Sequence, residues 1–255
     1  MGPKTRLARG RLDQALVEGG LCESREKAKR AVMAGQVQIN QQTARKPGQP
    51  IKPTDHLSLV TDEKYVSRGG LKLEHALAHF QLNVTGMTAL DLGSATGGFT
   101  DCLLQHGAVK VYAVDVGQAQ LAWKLRRDPR VFVMEKTNAR ELTEGTFPPS
   151  FSPVDLAVID CSFISLRKIL PPAVALLNRS GKIVALIKPQ FEAGKAEADR
   201  GKGVITDPAI HARVLGELEQ FVGRQPQMLW HGVTESPLRG PAGNKEFFVL
   251  IEKTG

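Results

Sequence analysis

The sequence predicts an α/β chain in two unequal parts. Residues 1–60 read as a small, basic α+β unit and residues 61–70 as a connector. Residues 71–255 read as a doubly wound, mostly parallel seven-stranded sheet whose last strand is antiparallel. Three observations carry this reading. From residue 89 onward, apolar runs of strand length alternate with helical stretches, the rhythm of parallel strands joined by crossover helices. A glycine loop directly follows the first of those runs. The excess basic charge lies almost wholly in the first 60 residues. The chain carries +8, from 34 Lys and Arg against 26 Asp and Glu; residues 1–60 hold 11 of the bases and 5 of the acids, a net +6. A basic module on a near-neutral body suits polyanion binding by the first and a separate task for the second. A solubilising charged segment is the plainer alternative.

Composition excludes several classes. Hydrophobic residues make up 42% and charged residues 24%, ordinary globular proportions that argue against a disordered chain. No apolar run approaches about 18 residues, and Met1 to Arg6 is not followed by the apolar stretch of a signal peptide, so a cytoplasmic protein without a membrane span is expected. Cys22, Cys102 and Cys161 are odd in number and form no CxxC pair. Neither a disulfide framework nor a zinc site is supported, and no metal is expected.

In the small unit, Leu12, Ala15 and Leu16 fall at helical spacing before Gly19-Gly20 stops the turn. Ser24 suits the N-cap of a second helix whose apolar side is Ala28, Ala31 and Val32, ended by Gly35. Val37 and Ile39 alternate with polar neighbours as a strand does. Pro47, Gly48, Pro50 and Pro53 punctuate a loop, and Leu57 to Val60 closes the unit with another strand. The runs Arg11-Leu12-Asp13, Ser24-Arg25 with Ala28, and Gly35-Gln36-Val37-Gln38-Ile39-Asn40 together resemble the S4 RNA-binding domain. The resemblance implies phosphate contacts from Arg9, Arg11, Arg25, Lys29 and Arg30, and Arg68 in the connector joins the candidate RNA-binding residues.

The connector ends in Ser67-Arg68-Gly69-Gly70 and leads into a helix with Leu73, Ala76, Leu77 and Phe80 on one face. Strand-like runs follow at 89–92, 109–116, 131–135, 156–160, 183–187, 228–233 and 247–252. Helical stretches separate most of them. Asp207-Pro208 opens a helix to about Val222, with proline at its first position. Only a loop separates the last two strands, which should therefore pair antiparallel.

The strongest local signal is the run from Ala89 to Phe99, an apolar strand entering a tight glycine loop. Ala95 stands where a dinucleotide-binding loop needs its second glycine for close approach of pyrophosphate, which disfavours a nicotinamide or flavin. The D-x-G-x-x-x-G-G arrangement instead resembles the S-adenosylmethionine loop of class I methyltransferases. That resemblance makes Asp91, Gly93, Ser94, Thr96, Gly97, Gly98 and Phe99 candidate cofactor residues, with Asp91 suited to a cationic group. Asp115 closes the second strand, where a carboxylate can accept both hydroxyls of a ribose. Asn138, after the third strand, is the adenine-side residue by position.

Asp160 and Lys188 each follow an apolar strand. In a doubly wound sheet these strands are neighbours whose ends flank the ligand crevice, so a carboxylate and an amine should face each other there. Lys72 lies just past Gly69-Gly70, and Glu246 opens the final strand. The plain alternative for any one of them is a surface ion pair, and for a single lysine that is the better reading. The order Lys72, Asp160, Lys188, Glu246 resembles the tetrad of FtsJ-like ribose 2′-O-methyltransferases. Ser67 to Lys72, Asp91 to Phe99, Asp160 to Ser165, Lys188 to Glu192 and Pro237 to Pro241 with Asn244 and Glu246 look closely like the TlyA family, which joins an S4 domain to this fold. The resemblance implies a class I (Rossmann-like) methyltransferase using S-adenosyl-L-methionine. It further implies ribosomal RNA or a ribosomal subunit as partner and methylation of cytidine 2′-hydroxyls, in 23S RNA with 16S RNA left open. The family also carries the label haemolysin.

The chemistry needs these residue types because a ribose hydroxyl is a weak acid and a poor nucleophile while protonated. A neutral lysine can take that proton, and burial beside a second ammonium favours the neutral form. Lys72 would supply the like charge to Lys188, Asp160 would orient Lys188, and Glu246 would position Lys72 or the ribose. Three alternatives stand beside this reading. One is amino-group methylation, whose Asp-Pro-Pro-Tyr motif is replaced here by Asp160-Cys161-Ser162-Phe163. The others are a non-catalytic RNA-binding assembly factor and a haemolysin-like lytic activity.

Overall fold

The computed structural model describes residues 10–33, 35–59 and 64–255. The chain divides after residue 63 into two compact units. In the small unit the elements run β1 (Gly10–Arg11), α1 (Leu12–Glu18), α2 (Arg25–Met33), β2 (Val37–Ile39), β3 (Gln42–Thr43), β4 (Pro50–Ile51) and β5 (Leu57–Leu59). The two helices bury Leu12, Ala15, Leu16, Ala28 and Val32 against Val37, Ile51 and Leu57 in a core of their own. Ser24 caps α2 through its Oγ, which accepts the Lys27 amide at 3.2 Å. β2 is flanked by β3 and β5, both antiparallel, while β1 pairs with β4. β1, β3 and β4 are two residues long, too short for an alternation pattern to reveal them.

The large unit begins where a connector was expected. Of residues 61–70, those from Lys64 on are packed into it. Tyr65 is buried, the Val66 amide donates to Asp101 Oδ2 at 2.8 Å, and the Lys64 carbonyl accepts Gln105 Nε2 at 2.8 Å. The elements continue α3 (Gly69–His79), β6 (Thr88–Leu92), α4 (Gly98–Gln105), β7 (Lys110–Val114), α5 (Trp123–Arg126), β8 (Val131–Met134), β9 (Val154–Ile159), α6 (Leu170–Ala175), β10 (Leu177–Ile187), α7 (Pro189–Glu192), α8 (Lys195–Arg200), α9 (Pro208–Gly223), β11 (Met228–Glu235) and β12 (Phe247–Lys253).

The seven strands lie in the order β11-β12-β10-β9-β6-β7-β8. β10, β9, β6, β7 and β8 are mutually parallel. β12 inserts antiparallel between β10 and β11, as the loop-only connection demands. Period-two geometry sorts each strand between the two faces. In β10, Ile183, Ala185 and Ile187 enter one core while Val184 and Leu186 enter the other. Apolar side chains on both faces explain the near-continuous apolar runs of a sheet covered on both sides. In α9, Asp207 accepts the Ala209 amide at 2.8 Å with Pro208 in the first turn, and His211, Val214, Leu218 and Val222 are buried along one stripe. The chain leaves β6 toward β7 on one side and reaches β9 on the other. This is a topological switch point, where the carboxyl ends of strands in an open sheet leave a crevice.

Candidate active site

The crevice is a cavity of about 1210 Å³ whose wall includes Gly93, Ala95, Asp115, Asn138 and Asp160. Its loop is fastened at both ends. The Gly93 and Ser94 amides donate to the Val114 carbonyl at 2.9 and 3.2 Å. Asp115 receives the Ala95 amide on Oδ2 at 2.9 Å and the Gly117 amide on Oδ1 at 2.7 Å. Gly93 has a φ of 86°, and a β-carbon there would lie 2.8 Å from the Asp160 carbonyl oxygen. A glycine at this place therefore lets the ends of β6 and β9 close together. Asn138 caps the short 3₁₀ turn Ala139–Glu141, its Oδ1 accepting the Arg140 amide at 3.1 Å.

The other residues singled out in the loop are placed differently. Asp91 is not on the wall but wholly buried, accepting the Thr100 hydroxyl at 2.6 Å on one oxygen while the other has no partner. Burial, aided by the charges of Asp160 and Asp115 and opposed by the Thr100 bond, pushes its carboxyl up to about 7. Gly97 and Gly98 are packing positions. A side chain on Gly97 would collide with Leu125 and Leu121, and one on Gly98 with Ser67 Oγ and the Gly70 amide. Phe99 is buried against Phe248. Ser94 is buried and Thr96 exposed, and neither belongs to the wall.

Two ion pairs, one buried and one half-buried on its Asp160 side, stand at the strand ends. Lys188 leaves β10 at the N-cap of α7, and its ammonium lies 2.6 Å from Asp160 Oδ1 and donates to Ser162 Oγ at 2.9 Å. Parallel pairing of β9 with β10, with Ile159 opposite Ala185, brings these two residues together. Lys72, in the first turns of α3, donates to Glu246 Oε2 at 2.5 Å, with the two residues 8% and 1% exposed. Charges buried this deeply persist only when matched. The sequence reading sets Lys72 beside Lys188 as a like charge; here the Lys72 ammonium meets Glu246, and the Lys188 ammonium meets Asp160 and Ser162. The loop carrying Glu246 is itself held by Asn244, whose amide accepts from the Ile205 N–H and donates to the Gly203 carbonyl, each at 2.8 Å.

Sequence reasoning missed three supporting groups: Ser162, Ser165 and Glu192. Ser165 Oγ donates to Glu192 Oε2 at 2.6 Å, and the Leu166 amide donates to Oε1 at 2.7 Å. Their motif runs were visible, yet nothing in spacing pairs residue 165 with residue 192. Phe163, 90% exposed and at a φ of 62°, rests against Phe191 beside the cavity. Cys161 shares the wall, and burial pushes its thiol up to about 12, which disfavours the thiolate.

In the small unit, Arg11 and Arg25 both reach the buried carboxylate of Asp13, at 3.0 and 3.2 Å. Those guanidinium bonds hold Asp13 down at about 2 against its burial. Lys29 and Arg30 are exposed and have no ion-pair partner among the described residues. Arg9 lies outside the described residues. Arg68 is exposed in the large unit. Among the described residues no helix is long and apolar enough to cross a membrane, and no group of three His, Cys, Asp or Glu could hold a metal ion.

An open sheet with reversed final strand, a glycine loop at its switch point and an acid closing the neighbouring strand define the methyltransferase class of doubly wound folds, and this chain is a methyltransferase. The chain belongs to the TlyA family, in which an S4 domain precedes an FtsJ-like methyltransferase domain. Residues 65–253 match the FtsJ-like methyltransferase family and residues 10–57 the S4 domain. The chain is 48% identical over 248 residues to the 16S/23S rRNA (cytidine-2'-O)-methyltransferase TlyA of Mycobacterium tuberculosis, covering 95% of this chain and 90% of that one. It is 41% identical over 238 residues to Hemolysin A of Brachyspira hyodysenteriae, covering 93% and 97% of the two chains. A solved structure from Streptococcus thermophilus, which carries the provisional name hemolysin, is 45% identical, with 98% of this chain and 90% of that chain covered and a TM-score of 0.73.

Proposed function

We propose that the protein transfers a methyl group from S-adenosyl-L-methionine to the 2′-hydroxyl of a cytidine in ribosomal RNA, 23S RNA first. The observation that carries this is the Lys188–Asp160 pair, whose carboxylate partner Asp160 lines the cavity together with Gly93. The residues present fit the donor. Asp115 offers carboxylate oxygens where ribose hydroxyls would lie, and Asn138 stands on the same wall. Asp91 keeps an unpartnered buried oxygen suited to a cationic ligand. The loop from Gly93 to Phe99 contains no Lys or Arg to hold a phosphate. When bound, S-adenosylmethionine supplies a sulfonium methyl to the ribose oxygen, the carbon–sulfur bonding pair leaving with sulfur.

The chain's own part is proton handling and placement. Lys188 Nζ takes the 2′-hydroxyl proton, and Asp160 and Ser162 aim that nitrogen. Lys72, held by Glu246, orients the ribose and faces the negative charge that develops on its oxygen. The small unit grips the RNA backbone through Lys29 and Arg30, with Arg11 and Arg25 set by Asp13.

The test is tritium transfer from labelled donor to ribosomal subunits taken from cells lacking the protein, followed by alkaline hydrolysis. Label in alkali-resistant dinucleotides is expected, because a 2′-O-methyl group blocks cleavage. Label in mononucleotides, which alkali releases from base-methylated RNA, would instead support amino-group methylation, and RNA binding with no transfer would support an assembly factor. Lys188→Ala should lower turnover by at least about 100-fold, the usual worth of a general base. Normal transfer by that variant removes Lys188 from the role.

A further inference from the structure

Glu192 is buried, 9% exposed, and touches nothing in the cavity wall that reacts, yet it joins the two segments that carry the Lys188–Asp160 pair. α7 is a single turn with Lys188 at its start and Glu192 at its end. From that end the carboxylate crosses to the segment following Asp160. Oε2 accepts the Ser165 hydroxyl at 2.6 Å and Oε1 accepts the Leu166 amide at 2.7 Å.

The segment 160–165 is therefore pinned at both ends. At its start the Asp160 amide donates to the Leu92 carbonyl at 2.9 Å and its side chain meets Lys188. At its end Glu192 holds Ser165, which caps the 3₁₀ turn Leu166–Lys168. Between these pins lie Ser162, the second acceptor for the Lys188 ammonium, and Phe163 in its left-handed conformation. A buried carboxylate is an expensive way to close a loop, since burial disfavours its charge. Two converging donors in a fixed geometry are what it supplies in return.

We infer that Glu192 is a positioning residue for methyl transfer: its clasp on Ser165 and Leu166 sets the segment that presents Asp160 and Ser162 to Lys188. The inference rests on the reading of Lys188 as the base. Without the clasp, Lys188 keeps its strand but loses the frame that aims its nitrogen. Turnover should suffer while donor and RNA binding, which use other residues, should not.

The experiment compares Glu192→Ala, Glu192→Gln and Ser165→Ala with wild type in steady-state tritium transfer to unmodified subunits, across pH. Glu192→Ala should lower kcat by about 100-fold, the loss expected when reacting groups shift by about 1 Å. KM values should stay within about threefold for both substrates, and the acid limb of the pH profile should move. Glu192→Gln keeps an acceptor for Leu166 and a donor for Ser165, and should stay within about threefold of wild type. Ser165→Ala removes one bond of the clasp and should lower kcat about 3- to 10-fold at unchanged KM, which decides the matter if Glu192→Ala does not fold. The inference is overturned if kcat is normal in Ser165→Ala and Glu192→Ala, if the glutamine variant is as impaired as the alanine one, or if KM and thermal midpoint move with kcat while the pH profile does not. A Lys188→Ala enzyme with wild-type turnover would instead take down the base reading.

Discussion

Asp91 shows how far burial can alter a single carboxyl. Near the end of β6 its carboxyl is wholly buried, with the Thr100 hydroxyl bonded to one oxygen and the other without a partner. Burial raises this acid to about 7. The folded protein then holds a proton between about pH 4 and 7 that the unfolded chain has lost, so stability falls as pH rises through that window and levels above it. Asp91→Asn should remove that slope and make the ligand-free protein more stable at pH 8 by up to about 4 kcal/mol, three pKa units' worth. Thermal unfolding at pH 5 and pH 8 reads this. The same change should weaken donor binding at pH 8 by at least about tenfold if the charge serves a cationic ligand. Asp13 behaves in the opposite sense. Held at about 2 by two arginines, it contributes stability that is present above about pH 4 and lost as pH falls through about 2.

At the scale of elements, the turn between β6 and α4 separates two uses of glycine. Gly93 combines a φ of 86° with the Asp160 carbonyl 2.8 Å from where a β-carbon would sit. Gly98 is instead a contact point between α4 and the start of α3, through Ser67 and Gly70. Gly98→Ala should lower stability by about 1–3 kcal/mol through overpacking. Gly93→Ala adds left-handed strain of about 1–2 kcal/mol and pushes on the backbone that carries Asp160. Methyl transfer should therefore fall further in Gly93→Ala than in Gly98→Ala when both are assayed well below their thermal midpoints. α9 was the most legible element, because its cap, its first-turn proline and its apolar stripe all lie within one stretch of chain. The two-residue strands β1 and β4 were illegible for the converse reason: each finds its partner about 40 positions away.

For the whole molecule, the uneven charge survives folding in altered form. The basic excess of the first 60 residues is concentrated by the pairing of Arg11 and Arg25 with Asp13, which leaves Lys29 and Arg30 on α2 as exposed cations. Neutralising both should reduce the salt dependence of RNA affinity by about 1.4 in the log–log slope, at roughly 0.7 per phosphate contact on a single strand. Binding measured from 50 to 300 mM salt tests this, and an unchanged slope would move the RNA contacts elsewhere. Charge reversal in the large unit should leave that slope as it is unless the catalytic unit shares the grip.

Fold class, the antiparallel pairing of the last two strands and the basic module could be read from the chain alone, because periodicity, loop length and charge are local properties of a string. The candidates Lys72, Asp160, Lys188 and Glu246 came from the resemblance of their motif runs to a family. The meeting of Lys188 with Asp160 was expected from neighbouring strand ends and follows from the parallel register of β9 and β10, but the closure of Lys72 on Glu246 across 174 residues could not be fixed from the chain, which left Glu246 to Lys72 or the ribose. Nor could the clasp of Glu192 or the burial of Asp91. Those depend on how strand ends, loops and pleats converge in three dimensions, where a side chain's direction and its solvent are decided by neighbours distant in the sequence.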